Sequence, residues 1–173
     1  AVGLADVWVT AEPDDILVAY SLGSCIGLAL WDPETKTGGM AHIVLPSSGG
    51  FALSGPNSHS GVGTSQVEVQ MPAPGKYADT AVPYLCRVME AAGCNLKRVR
   101  ASIAGGAHVL KDLSWPQGDI GAANAKAVQA ALRALGMKIQ KSDTGENYGR
   151  TMRLYVSNGR VTVSSVGRAE RDI

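Results

Sequence analysis

Short runs of apolar residues dominate the first and last parts of the chain. Each run spans about six residues, is rich in β-branched side chains and is bounded by Gly, Pro, Asp or Asn, a pattern typical of β-strands. Asn158-Gly159 separates the last two runs and predicts a hairpin turn with positive φ at both residues. The predicted strands are 4–10, 16–22, 26–31, 39–45, 99–104, 137–141, 152–156 and 160–166.

Two stretches follow helical periodicity instead. Residues 79–92 place Val82, Leu85, Cys86 and Met89 on one face, and Gly93 ends that helix. A second helix begins after the cap residue Asp119 and ends before Gly136. Its predicted buried stripe consists of Ile120, Ala127, Val128, Ala131, Leu132 and Leu135.

The order of the elements is strands first, then alternating strands and helices, then a hairpin. This order predicts an α+β fold, a single-domain α/β sandwich over 1–173 with mixed, largely antiparallel sheets and at least two helices. Residues 46–75 are rich in Gly, Ser and Pro and predict a long loop. Both a functional cover over a site and a tolerated surface insertion remain open for that loop.

Composition excludes several classes of function. The 173 residues carry a formal net charge of +1, so nothing indicates a nucleic-acid or anionic membrane partner. The uncharged stretch 16–31 is too short and too rich in Gly for membrane insertion. Three cysteines without a CxxC pair or zinc-type spacing favour no metal site and a reducing compartment, the cytoplasm. The first ten residues lack signal-peptide features.

The turn at 32–35 brings one cysteine and one histidine close together. If Asp32 and Thr35 close the turn, Cys25 and His42 are direct cross-strand partners, with Cβ atoms roughly 4.5–5.5 Å apart. A register longer by two residues makes them diagonal neighbours on the same face. A one-residue slip places them on opposite faces.

A Cys/His pair of this kind suits nucleophilic catalysis. The Cys25 thiolate attacks, the nearby imidazole lowers the thiol pKa, and His42 returns a proton to the leaving group. Backbone amides around Gly23 and Ser24 are candidates for binding the oxyanion. The alternative to catalysis is that both residues are structural. A buried cysteine is usually a small hydrophobe, and a histidine on an apolar strand is usually a hydrogen-bonded core residue.

Several short blocks follow one another along the chain: Leu22-Gly-Ser-Cys25, Asp32-Pro33, Gly39-Met-Ala-His42, Leu45-Pro46, 75–81, 105–107, 120–124 and 143–150. In this order they resemble the CheD family, the chemoreceptor glutamine deamidases. The resemblance implies a cytoplasmic enzyme that hydrolyses glutamine side-chain amides of methyl-accepting chemotaxis receptors to glutamate, releasing ammonia. It implies Cys25 as the nucleophile with His42, a CheC-type phosphatase as partner, and no metal or organic cofactor.

One position departs from the family pattern. The resemblance implies a catalytic threonine on the strand before the cysteine, where this chain has Ala19. Alternation along the strand places Ser21 on the same face, which makes Ser21 the candidate replacement. In the block 143–150, Asn147 and Arg150 either bind substrate or brace the loop, and turn chemistry favours bracing.

Two other functions remain compatible with the sequence. A catalytically weakened docking protein that binds CheC or receptors would tolerate Ala19. A different cysteine amidase, of transglutaminase or peptidase type, would use the same Cys25 and His42 on other amides.

Overall fold

The structure is a computed structural model that describes residues 1–49, 73–109 and 119–173. Within these ranges it contains two helices, α1 (Ala78–Ala91) and α2 (Ile120–Ala134). The predicted α+β fold class is confirmed. The described strands are β1 (Val7–Thr10), β2 (Ile16–Leu22), β3 (Ile26–Asp32), β4 (Thr37–Ile43), β5 (Arg100–Gly105), β6 (Ile139–Thr144), β7 (Arg150–Tyr155), β8 (Arg160–Ser165) and β9 (Arg168–Asp172).

The strands form two sheets. The first has the order β1-β4-β3-β5-β6, in which β5 and β6 are parallel and the other neighbours are antiparallel. The second is antiparallel and has the order β2-β7-β8-β9. The sheets are therefore mixed and largely antiparallel, as predicted. Strand β9 was not predicted, because all five of its residues are exposed and it lacks an apolar face.

The first sheet lies between the helices and the second sheet. Leu28 and Leu30 of β3 pack in the cluster that contains the α1 and α2 side chains. Ala29 and Trp31 pack in the cluster between the two sheets. All seven residues of β3 and all seven of β4 are buried, because both faces of these central strands are covered. This explains why most of their residues are apolar or small.

The predicted apolar face of α1 is confirmed, since its four residues are buried. The stripe predicted for α2 is partly wrong: Leu135 is 44% exposed, whereas Val128 and Leu132 are buried. The buried face of α2 also contains Gly121 and Asn124. A Cβ at Gly121 would lie 2.6 Å from the carbonyl oxygens of Gly106 and Ala107. The start of α2 therefore packs directly against the backbone that follows β5.

The hairpin between β7 and β8 is confirmed, but its turn differs from the prediction. Tyr155 pairs with Arg160, so the connection has four residues rather than two. Gly159 has φ of 72° and Asn158 does not adopt positive φ. Instead, the Asn158 side chain accepts a hydrogen bond from the Arg160 amide, and the indole of Trp31 donates to the carbonyl of Val156. The longer turn therefore follows from packing against β3.

Most of the predicted loop 46–75 lies outside the described residues. Its two ends are described: Ser47 and Ser48 donate hydrogen bonds to the Asp79 carboxylate at the start of α1. No helix of the described ranges is long and apolar enough to cross a membrane.

Candidate active site

The connection between β3 and β4 consists of residues 33–36, two more than in a turn closed by Asp32 and Thr35. Asp32 pairs with Thr37, and Gly27 pairs with His42. The direct pairing of Cys25 with His42 is therefore wrong, and the longer register, with the two as diagonal neighbours, is the one observed. The Asp32 carboxylate accepts a hydrogen bond from the Glu34 amide and forms an ion pair with Arg98. Both contacts stabilise the longer turn.

The His42 side chain is buried in the space between the two sheets. It is 3% exposed and shares the face of β4 with Met40, which packs in the inter-sheet cluster. Its Nδ1 lies 3.5 Å from the carbonyl oxygen of Val2. Its Nε2 has no hydrogen-bond partner among the described residues. Because a carbonyl oxygen only accepts, this contact favours a proton on Nδ1 and leaves Nε2 as a base.

The N-terminal segment is held against β2 and β4 by its main chain. The Val2 amide donates to the carbonyl of Val18 at 2.7 Å, and the Ala5 amide donates to the carbonyl of His42 at 3.0 Å. The Val2 side chain is buried in the inter-sheet cluster. These contacts fix the carbonyl of Val2 beside the imidazole.

Cys25 lies on the tight turn that joins β2 to β3. It is half-buried and packs against the inter-sheet cluster. The carbonyl of Cys25 accepts from the Gly106 amide at 2.8 Å. Gly105 approaches so closely that a Cβ there would lie 2.1 Å from the Cys25 carbonyl oxygen, and its φ is 111°. The end of β5 therefore supports the turn through backbone contacts that only glycine permits.

Burial keeps both reactive groups neutral in the resting protein. Burial raises the pKa of the Cys25 thiol above its ordinary value, although its own backbone amide opposes the shift. Burial lowers the pKa of His42, against the opposing effects of the Val2 carbonyl and the Asp6 charge. The arrangement thus favours a thiol beside a neutral imidazole over a thiolate–imidazolium ion pair.

Two of the three candidates for binding the oxyanion or the substrate lie in the turn with Cys25. Gly23 and Ser24 are half-buried and directly precede it. Asn147 is exposed on the loop between β6 and β7. In that loop Arg150 is fully buried and binds the Asp143 carboxylate and the carbonyls of Gly145 and Tyr148, so its predicted bracing role is confirmed.

The expected face of Ser21 is wrong. The β2–β7 register shifts between Ala19 and Leu22, which pair with Met152 and Arg150. Ser21 takes a φ of 55° in this bulge and is exposed, while Leu22 takes the buried face shared with Ala19. Strict alternation fails here because the bulge inserts an extra residue.

A cleft of about 340 Å³ opens beside Gly106, on the α2 side of the turn. Its lining includes His108 and Asp119, whose side chains are 3.2 Å apart. In the described part of the chain, no group of three His, Cys, Asp or Glu side chains is arranged to hold a metal ion.

Sequence reasoning missed the contributions of Val2 and Asn124. Asn124 is fully buried and donates to two main-chain carbonyls, those of Ser24 and Val44. One signal was available: Asn124 lies four residues after Ile120 and four before Val128, so it occupies an apolar stripe. No comparable signal marks the carbonyl of Val2.

Comparisons with known proteins agree with the resemblance noted in the sequence. The family model described as CheD chemotactic sensory transduction matches residues 59–165. A protein of Symbiobacterium thermophilum named probable chemoreceptor glutamine deamidase CheD is 43% identical over 100% of this chain and 96% of its own length. The chemoreceptor glutamine deamidase CheD of Thermotoga maritima is 34% identical over 98% of this chain and 94% of its own length.

A further relative covers a smaller share of the chain. The probable chemoreceptor glutamine deamidase CheD of Archaeoglobus fulgidus is 36% identical over 86% of this chain and 82% of its own length. The family model matches more than half of the chain and the first two relatives cover nearly all of it, and so the chain belongs to the CheD family.

Proposed function

We propose that this chain is a cytoplasmic, single-domain protein-glutamine deamidase that converts selected glutamine side chains of methyl-accepting chemotaxis receptors to glutamate. The substrate class comes from the printed names of its relatives. The observation that supports the chemistry is the diagonal placement of Cys25 and His42, with the buried Nε2 of His42 without a partner among the described residues. A CheC-type phosphatase is the proposed protein partner.

In the first half of the proposed reaction, the Cys25 thiol transfers its proton to Nε2 of His42 as sulfur attacks the glutamine side-chain carbonyl. The resulting oxyanion accepts hydrogen bonds from amides of the turn. When the tetrahedral intermediate collapses, the carbon–nitrogen bond breaks. His42 returns its proton to the leaving nitrogen, so ammonia departs and a thioester remains.

In the second half, His42 accepts a proton from water while the oxygen attacks the thioester carbonyl. The carbon–sulfur bond breaks, sulfur regains the proton from His42, and glutamate is released. The thiol proton thus leaves with ammonia, and a proton from water replaces it, so both groups are neutral again at the end of the cycle.

Ala19 favours a second function. Its methyl group is buried and cannot orient an imidazole, and the resting thiol is not ionised. A docking protein that binds CheC or receptors without turnover is compatible with both features. A cysteine amidase of another type would share the first half of the reaction but transfer the acyl group to an amine or cleave a peptide bond.

Intact-mass spectrometry of a receptor signalling fragment tests the proposal. The fragment is incubated with wild type, Cys25→Ala, and Cys94→Ala, the last being a matched control because Cys94 is a buried thiol in the helix-side core. We expect the amide-to-acid mass change with wild type and with Cys94→Ala, and none with Cys25→Ala.

Activity in Cys25→Ala would contradict the proposed nucleophile. A fragment that binds wild type but never changes mass would support the docking protein instead. Incorporation of an added amine, or cleavage of the fragment, would identify the third class of activity.

A further inference from the structure

Three consecutive carbonyl groups of the Cys25 turn point into the protein and are held there. The carbonyl of Gly23 accepts from the Ala107 amide at 2.8 Å. The next carbonyl, of Ser24, accepts from Nδ2 of Asn124 at 2.8 Å. The third, of Cys25, is bound by Gly106. Two of the three donors are backbone amides after β5, and the middle donor is a side chain.

The orientation of these carbonyls fixes the direction of the amides. In a trans peptide the C=O and N–H bonds point in opposite directions. The amides of Ser24 and Cys25 therefore point away from α2 and the end of β5. Among the described residues, neither amide donates to a carbonyl or side-chain oxygen. The Cys25 amide belongs to the residue that bears the sulfur, so it lies beside the reacting atom.

Asn124 also joins the two halves of the candidate site. The same Nδ2 donates at 2.9 Å to the carbonyl of Val44, which directly follows β4 and lies two residues after His42. Both hydrogens of the amide group are thus used, one for the turn that bears Cys25 and one for the end of β4. A primary amide can donate two hydrogen bonds from one nitrogen, whereas an alanine donates none and a carboxylate only accepts.

We propose that Asn124 is a positioning residue: it orients the Ser24–Cys25 peptide so that the Cys25 amide, beside the Ser24 amide, forms the oxyanion site. The assignment rests on the proposed acyl chemistry at Cys25. Asn124 touches neither substrate nor the reacting atoms, and it acts through the peptide plane that it holds. Without it, that peptide is free to rotate and its amide no longer points at the developing charge.

Two reagents separate this role from ordinary structural support. Iodoacetamide alkylates the thiol by direct displacement and develops no oxyanion. An activated ester, p-nitrophenyl acetate, acylates the same thiol through a tetrahedral oxyanion and releases p-nitrophenolate. Peptide mapping by mass spectrometry assigns each modification to Cys25 rather than to Cys86 or Cys94. The ratio of acylation to alkylation rates therefore reports the oxyanion site alone.

The experiment compares wild type with Asn124→Ala and with Val128→Ala. Val128 is a fully buried residue on the next turn of α2, so its truncation controls for loss of packing in that helix. We expect the ratio to fall by roughly tenfold to a hundredfold in Asn124→Ala, as when an oxyanion donor is lost. The ratio should stay within about twofold of wild type in Val128→Ala, because Val128 packs in the helix-side core and donates no hydrogen bond through its side chain.

Asn124→Asp keeps the test valid if Asn124→Ala does not fold, since aspartate has nearly the same shape. Its ionised carboxylate would repel the carbonyls of Ser24 and Val44, and we expect the same fall in the ratio. An unchanged ratio in the folded Asn124 variants, or a parallel fall in both rates, would overturn the inference. Wild type that is alkylated but never acylated would overturn it too.

These outcomes are independent of the receptor assay. Wild type that acylates with the expected dependence on Asn124 but never deamidates a receptor fragment would remove the proposed function and leave the oxyanion site standing.

Discussion

Nδ1 of His42 lies 3.5 Å from the carbonyl oxygen of Val2, so a main-chain atom from the N-terminal segment orients the imidazole. The family resemblance placed this task on a side-chain hydroxyl at position 19, where this chain has a buried alanine. A carbonyl accepts only from a protonated Nδ1, which leaves Nε2 able to take the thiol proton. The same contact raises the pKa of His42 and partly offsets the effect of burial.

Removal of residues 1–3 should therefore weaken the preference of His42 for the Nδ1-protonated tautomer. Nitrogen-15 chemical shifts of the imidazole measure this preference without any substrate. We expect kcat for receptor deamidation to fall roughly tenfold, about 1.4 kcal/mol, the order of one hydrogen bond. Leu4→Ala is the matched control, because Leu4 belongs to the same segment but is 69% exposed.

An Nε2-protonated His42 in the intact chain would contradict this orientation. An unchanged tautomer after removal of residues 1–3 would show that Val2 does not set it.

The pH dependence of Cys25 alkylation and of catalysis should show that Cys25 and His42 are both neutral in the resting protein. Because burial raises the thiol pKa, the rate of alkylation by iodoacetamide should keep rising through pH 9.0, the ordinary value. Because burial lowers the pKa of His42, protonation of the imidazole should reduce kcat/KM only below pH 6.5. The catalytic profile should thus be flat between these limits, since neutral His42 and the thiol form of Cys25 are both present there.

Cys25 in the urea-unfolded chain is the control for this titration, and its alkylation should follow the ordinary thiol pKa. If alkylation of the folded protein instead levelled off near neutral pH, a stabilised thiolate would be present and the neutral pair would be ruled out.

Gly105→Ala should abolish activity and destabilise the fold. The new Cβ would lie 2.1 Å from the carbonyl oxygen of Cys25, and the residue would have to keep a φ of 111°. Relief requires the turn to move, so we expect a loss of at least about 3 kcal/mol in the free energy of unfolding. Urea denaturation monitored by tryptophan fluorescence measures the loss.

Gly136→Ala is the comparison, since Gly136 also has positive φ, 71°, but has no atom within 4 Å of the added Cβ. It should cost only about 1 kcal/mol and leave activity unchanged. Equal losses in the two variants would mean that backbone conformation, not the contact with Cys25, explains the need for glycine at 105.

Elements with strong local periodicity could be predicted from sequence. Strand β2 has the predicted bounds, and α1 has the predicted buried face, because both patterns repeat over several residues. The register of β3 and β4 was left open for a physical reason. It depends on the Asp32 carboxylate, which binds the Asn95 amide and Arg98, more than sixty residues along the chain. Local turn chemistry does not contain that information.

The residues of the candidate site also differ in whether the sequence could predict them. Cys25 and His42 could be found because Cys25 directly precedes β3, and His42 lies on β4, which a short turn joins to β3. Asn124 could not be assigned to the turn, because its contact with Ser24 joins residues one hundred positions apart. Ser21 was misplaced because alternation assumes a regular strand, and the bulge after Ala19 breaks it.

The hydrogen bonds that hold the carbonyls of the Cys25 turn have a consequence for the synthesis of the protein. Among the described residues, the donors to the carbonyls of Gly23, Ser24 and Cys25 come from residues 106, 107 and 124. A nascent chain that has released only β1 to β4 from the ribosome can already bring Cys25 near His42, yet its turn is untethered. We therefore expect such a chain to carry an ordinary, weakly reactive thiol, with acyl chemistry switched on only when α2 has docked.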